Sequence, residues 1–513
     1  MIRSAFLKIY AMKKIIFGCS LLLLNLPTQT AFAQSYDVDA LKLSQPDLYG
    51  TARSMGAGGA FSTVGADPSS LTTNPAGLGL YRSHEIAVSP GYNFGTSQTS
   101  YLGQKTDASS GHITFPQASL IFASKQRKAK PGISFDASNK LKRIVFGIGY
   151  NRIADLNRID KFSGKNFSNS MAQTFADDLN KDNRAINLEN YAIPTVQAWQ
   201  TYVVDTLYSG DPKIYPRTEL PVIQRGSVTT KGALSELNLS LAANINDMVY
   251  IGVGVGVPFL SYSRKFNFYE GKDTAVPSYY FNNYEMNYNY TQTGFGVNGK
   301  FGIIVKPVSW FRIGAAFQTP SYYRLQETTQ GNMASNFTSV GTLSADTSQY
   351  YQYSYVNPLK LTAGASFYIK QWAFISADYE LANYNSAKFG FDGNKAEQDY
   401  WNKLINGKYR ATSTVKVGAE FAFKSLRVRG GFAWSQSPFK SGIGVPSYDG
   451  SKMMYTAGLG YRGKSFFADL AYVRTQYKDY FAPYTYSTNE PGAFNKYANN
   501  NIVLTVGFKF GKS

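Results

Sequence analysis

One cysteine, Cys19, and two histidines, His84 and His112, are all that 513 residues contain of either type. Cys19 lies in an apolar leader, so the chain beyond it has no disulfide, no thiolate nucleophile and no thiolate metal site. Too little apolar sequence precedes Phe17-Gly18-Cys19 for a lipoprotein signal. Both histidines fall at strand edges and read as rim residues; a Ser–His or Cys–His pair has little to draw on, and haem ligation has no further support. "GAGGAF" lacks the lysine of a phosphate loop, and the terminal "GKS" has no strand–loop–helix around it. No enzyme, metal site or cofactor is indicated.

Two other scarcities are informative. Beyond the leader no apolar run approaches twenty residues, which excludes helical membrane spans. Acidic residues are few, 33 against 52 Lys and Arg, for a net charge of +19. The basic residues are dispersed rather than blocked, which points to an anionic membrane surface and away from nucleic acid.

The leader itself is Met12-Lys13-Lys14, the largely apolar Ile15–Leu26, and Ala31-Phe32-Ala33. A basic start, a short apolar stretch and an A-x-A site describe a secretory signal peptide spanning 1–33, with the mature chain starting near Gln34. Met1 and Met12 both serve as possible starts.

What is abundant is 39 Tyr, 35 Phe and 46 Gly. Export, many aromatics and modest hydropathy suit a transmembrane β-barrel. Two-residue alternation supports it. In Ile251–Phe259, "IGVGVGVPF", Ile251, Val253, Val255 and Val257 face one way and Gly252, Gly254 and Gly256 the other. In the last segment Val503, Thr505, Gly507 and Lys509 oppose Ile502, Leu504, Val506, Phe508 and Phe510. Short links such as Asn246-Asp247, Lys370-Gln371 and Lys424-Ser425 alternate with long polar connections, the asymmetry of periplasmic turns and external loops. Fourteen candidate strands run from Glu85–Asn93 to Ile502–Phe510, the even number that single-chain barrels require. The connection at about 160–225 has no strand pattern; Ser170–Leu179 and Leu188–Val204, the second interrupted at Pro194, are candidate short helices covering the mouth.

One stretch fits neither strand nor helix. Gly65–Leu80, "GADPSSLTTNPAGLGL", is punctuated by two prolines and precedes the first strand. Irregular backbone is tolerable at membrane depth only when buried in protein or a watery cavity. A barrel of about fourteen strands is too wide for side chains alone to fill. The segment is therefore expected inside the lumen.

Here "ARSMGAGGAF", "GADPSS" and above all "NPAG" closely resemble the N-terminal hatch of the FadL-type outer-membrane transporters. The resemblance implies an all-β fold: a transmembrane antiparallel β-barrel of about 14 strands with an N-terminal plug (hatch) inside the lumen. It implies residues 34–83 as hatch and 84–513 as barrel, in the bacterial outer membrane. Asn74, Pro75 and Ala76 would belong to the gating turn, and Gly56, Gly58, Gly59 and Gly77 to the hatch glycines. The implied function is passive transport of hydrophobic small molecules, long-chain fatty acids or aromatic compounds, with outer-membrane lipid as surroundings and exit through a gap in the wall. Similar proteins serve instead as accessory barrels in type IX protein secretion, with a secretion-system or surface protein as partner, or bear the label of haemin receptor.

Overall fold

The structure is a computed structural model describing residues 36–125, 141–181, 188, 191–273, 281–443, 445, 447–486 and 491–511. The expected signal peptide, Cys19, Met1 and Met12 lie outside the described residues.

Three short helices open the described chain: α1 (Tyr36–Ser44), α2 (Ala52–Gly56) and α3 (Ser70–Thr73), followed by a 3-10 turn, Pro75–Leu80. The strands β1 (His84–Tyr101), β2 (Gln104–Ala123), β3 (Leu141–Asp155) and β4 (Arg158–Asn166) come next. An external excursion carries α4 (Met171–Leu179), α5 (Ile193–Gln200) and the small hairpin β5 (Val204–Thr206) and β6 (Ile214–Pro216). The wall continues with β7 (Val222–Ile245), β8 (Val249–Lys272), β9 (Phe281–Val308), β10 (Phe311–Gln318), β11 (Tyr322–Phe337) and β12 (Gly341–Val356). Then follow β13 (Lys360–Ile369), β14 (Ala373–Asn383), β15 (Lys388–Gly390) and α6 (Lys395–Lys408). The chain ends with β16 (Ala411–Phe423), β17 (Leu426–Ser435), β18 (Lys452–Arg462), β19 (Phe466–Phe481) and β20 (Ala493–Phe510).

All wall pairings are antiparallel, and β20 pairs back onto β1 from His84↔Phe510 to Tyr101↔Ala493, which closes the sheet. β10 and β11 are the lower and upper parts of one stave against β9. β12 and β13 form the next stave in the same way. Counted by stave, the barrel has fourteen strands.

Alternation fixes which side faces what. Ile86, Leu239, Val255, Ile303, Ile375 and Leu504 point outward, each between 41% and 52% exposed. An apolar belt that continuous would aggregate in water; it is the lipid-facing surface of a transmembrane barrel of the outer-membrane type. Trp310 and Trp372 stand exposed at tight turns on one rim, where indole rings favour the interface. Among the described residues no helix is long and apolar enough to cross a membrane; the strands do the crossing.

The structure departs from the expected pattern in three places. Tight turns do not keep to one end: β1 and β2 are joined at Leu102-Gly103, and β11 and β12 across 338–340, on the side of the long loops. The connection at 160–225 is partly strand, because β4 pairs with Val222–Thr230 of β7. Pro194 starts α5 rather than interrupting a longer helix, since a first-turn proline loses no helical bond.

Candidate functional site: the filled lumen and the break in its wall

The segment Thr51–Leu80 lies across the lower lumen and is almost wholly buried. Its irregular backbone needs partners, and polar side chains on the inner wall supply them. Thr505 accepts from the Ala52 N–H at 2.7 Å, and Thr456 from Gly58 at 3.0 Å. Ser376 donates to the Ala60 carbonyl at 2.6 Å, and Arg312 to that of Val64 at 2.6 Å. Asp378 takes both the backbone N–H and the hydroxyl of Ser62, at 2.9 and 2.5 Å. Each such buried bond contributes about 0.5–1.5 kcal/mol net, and leaving one unmade costs more.

Close approach is the second requirement. The wall presents glycine where the segment passes nearest. A Cβ on Gly252 (β8) would meet the Pro75 carbonyl carbon at 2.2 Å, and one on Gly302 (β9) the Asn74 side chain at 1.9 Å. Further round, Gly418 (β16) faces the Ala57 carbonyl oxygen at 2.0 Å, Gly431 (β17) the Gly58 nitrogen at 2.3 Å, and Gly458 (β18) the Gly56 Cα at 3.1 Å. Of the glycine face of "IGVGVGV", Gly252 meets the "NPAG" turn, while Gly254 and Gly256 face Ser240 and Glu236 of the neighbouring strand.

Asn74 is the knot of that turn. At 1% exposure its Oδ1 accepts from the Ala76 N–H at 3.0 Å, and its Nδ2 donates to the Ser62 carbonyl at 2.8 Å. It thereby caps the 3-10 turn that Pro75 begins, with φ preset by the ring. Ala76 packs with Tyr250 and Ile304 of the wall. Gly58 and Gly59 take φ of +66° and +70°, which other residues resist. Gly77 faces Ser70 and Gly65, so there glycine answers to space, not to φ.

Charge ties the same region to the wall. Arg53 reaches Glu420 at 3.3 Å; Arg429 bonds Glu420 at 2.6 Å and Asp469 at 2.7 Å; Arg462 joins Asp469 at 2.8 Å. Alternation placed these residues inside; nothing in the sequence linked them.

Above the segment is a cavity of about 130 Å³, bounded by Leu43, Leu48, Ile153, Leu234, Phe317 and Tyr323. Charged groups share its lining: Lys300 with Glu236, and Lys416 with Glu380 at 2.9 Å. Lys360 also lines it, between these pairs. The interior is amphipathic rather than oily.

Beside Ile153 the wall breaks. β2 and β3 pair only over Gln117–Ala123 with Val145–Asn151. Pro116, the next residue up, has no N–H to donate, and β1 carries Pro90 in a bulge at the same level. On the other side β3 is bulged between Arg152 and Ala154, and its continuation β4 turns inward. There Ser97 of β1 donates to the Ile159 carbonyl at 2.7 Å, and Tyr497 of β20 to Asp160 at 2.9 Å. Both partners are inward-facing wall residues, so β4 runs inside the barrel. Above Gln117, among the described residues, β2 keeps no ladder partner on that side. The edge left there carries Ile113, 82% exposed, and Phe115. His112 spans the break: its Nε2 lies 2.9 Å from Asp155 at the β3 bend and 3.2 Å from Asn157. The bland rim role therefore suits His84, stacked among Phe122 and Phe510 at the lower rim. His112 is part of the site. The signal for the break was Pro116 in the middle of a strand.

Two solved structures share the fold. A Pseudomonas aeruginosa FadL homologue is 14% identical, with a TM-score of 0.56 over 91% of this chain and 100% of its own. The chain has the FadL-type fold. The P. putida toluene transporter TodX superposes with a TM-score of 0.51 at 12% identity, over 91% of this chain and 100% of that one. No family model matches the sequence, and no curated protein does. At such identity what is shared with these FadL-type barrels is the fold; pocket residues do not transfer.

Proposed function

We propose that this barrel passes hydrophobic small molecules across the outer membrane by passive diffusion. Long-chain fatty-acid-like or aromatic compounds enter from outside, reach the cavity above the N-terminal segment, and leave sideways between β2 and β3. In this reading residues 34–83 are a hatch, 84–513 the barrel, and 1–33 a signal peptide removed on export. The observation that carries the proposal is the meeting of cavity and wall break at Arg152-Ile153, at the level of the lipid-facing Ile113 and Phe115. A non-transporting assembly barrel has no use for a cavity that reaches the β3 side of such a gap. The mixed lining suits an amphipathic or aromatic cargo, and TodX is a toluene transporter.

Asn74, Pro75 and Ala76 then act as the anchored turn of the hatch, with Gly56, Gly58, Gly59 and Gly77 letting its backbone lie against the wall. To test the function, the barrel is purified in a detergent that does not mimic fatty acids, and bound compounds are identified by mass spectrometry after organic extraction. A fatty acid or aromatic compound in stoichiometric amount supports transport. An empty barrel that brings down a stoichiometric protein overturns it in favour of a secretion accessory.

A further inference from the structure

At the outer mouth four aromatic rings surround a fifth that belongs to the start of the described chain. The Tyr36 ring lies 5.1 Å from Tyr353, 5.3 Å from Phe389, 5.1 Å from Phe391 and 5.2 Å from Trp401, three of them edge-on. The rings come from three separate elements: the end of β12, the β15 segment and α6. Edge-to-face contact at this spacing is the geometry aromatic rings prefer. A box assembled from distant elements around one ring has the form of a ligand pocket.

Tyr36 is carried by α1, and α1 occupies the way in. Its inner end, Leu43, forms part of the cavity boundary, while its outer end lies under α6. Its fastenings are side-chain bonds. Lys408 holds Asp37 at 2.5 Å, Tyr409 donates to the Asp37 carbonyl at 3.0 Å, and Ser44 meets Tyr355 at 2.6 Å. Lys42 sits over the Tyr262 ring at 3.4 Å. Among the described residues no glycine of the wall meets α1 backbone to backbone, unlike the segment below.

We infer that the box of Tyr353, Phe389, Phe391 and Trp401 is an entrance site for a molecule bearing an uncharged planar aromatic ring, and that Tyr36 fills it as a built-in competitor. A cargo ring that displaces Tyr36 frees α1, so occupation of the box and closure of the cavity beneath it exclude one another. The inference rests on the transport reading for its purpose and narrows the cargo to aromatic compounds. Binding at the box does not itself require transport.

The test is a calorimetric titration of the purified full-length barrel, in a detergent without aromatic groups, with 4-methylphenol, which reproduces the tyrosine side chain. The wild type is expected to bind weakly, Tyr36→Ala at least tenfold more tightly, and Tyr36→Phe like the wild type because it keeps the ring. Adding Trp401→Ala to Tyr36→Ala is expected to remove the gain. Equal affinity in wild type and Tyr36→Ala overturns the inference, as does a gain that survives Trp401→Ala. Retention of the folded-barrel shift on an unheated gel shows that each variant is intact. Tight binding by Tyr36→Ala without toluene uptake by cells making it supports the box and overturns the transport reading.

Discussion

The lower and upper lumen hold the same N-terminal segment in opposite ways. Below, Thr51–Leu80 adds to its side-chain bonds a contact of backbone on backbone: Gly252, Gly418, Gly431 and Gly458 leave no side chain between the two. Above, α1 meets it through long side chains, Tyr36 among four rings, Lys408 on Asp37, Tyr355 on Ser44. Backbone contact at 2–3 Å from a hypothetical Cβ has one solution. Side-chain contacts have alternative rotamers and can be exchanged for a ligand's. The lower joint therefore reads as fixed and the upper as releasable, which suits the proposed route in at the mouth and out between β2 and β3.

Substitutions separate the two. The largest effect is expected for Glu420→Ala, which removes the carboxylate shared by Arg53 and the fully buried Arg429 and leaves Asp469 alone to balance Arg429 and Arg462. It should cost about 3–5 kcal/mol in chemical unfolding of the detergent-solubilised barrel. Gly252→Val comes next: its side chain collides with the Pro75 backbone, and about 3 kcal/mol of overpacking is expected, with a matching fall in melting temperature. Asn74→Ala leaves the Ala76 N–H and the Ser62 carbonyl without their buried partner, for about 1–3 kcal/mol by the same measurement. The smallest effect belongs above. Ser44→Ala removes one bond to Tyr355, which keeps its bond to the Ala40 carbonyl at 2.8 Å, and should cost about 0.5–1.5 kcal/mol. If the upper change destabilised as much as the lower ones, the contrast would fail.

Much of this was legible in the sequence, for reasons that are local. Period-two alternation sorted Val255 outward and Gly254 inward without any partner strand, and "NPAG" announced a capped turn because proline and asparagine dictate backbone by themselves. The number of staves followed from turn chemistry. What was not legible depended on pairing. That β2 loses β3 above Gln117 is a property of two strands, and only Pro116, lacking its N–H, hinted at it. The role of His112 requires Asp155, 43 residues away. The Arg53–Glu420 bond joins residues 367 apart, so no window along the chain contains it. The box around Tyr36 is invisible for the same reason: its rings are common residues until the fold gathers them.

The account stands or falls on whether cargo leaves sideways while the lower hatch stays in place. Ser62 and Gly364 are in direct contact, a Cβ on Gly364 falling 2.1 Å from the Ser62 oxygen, so a cysteine pair at these positions can bridge hatch and wall once the contact opens by about 1 Å. In the reading that residues 1–33, Cys19 among them, are removed on export, Ser62→Cys with Gly364→Cys supplies the thiols of the mature chain. Uptake of radiolabelled oleate and toluene is then measured with this pair oxidised and reduced. The account predicts the same uptake in both states. Uptake lost on oxidation and restored by reductant would mean that the hatch must leave the wall, and would contradict exit between β2 and β3.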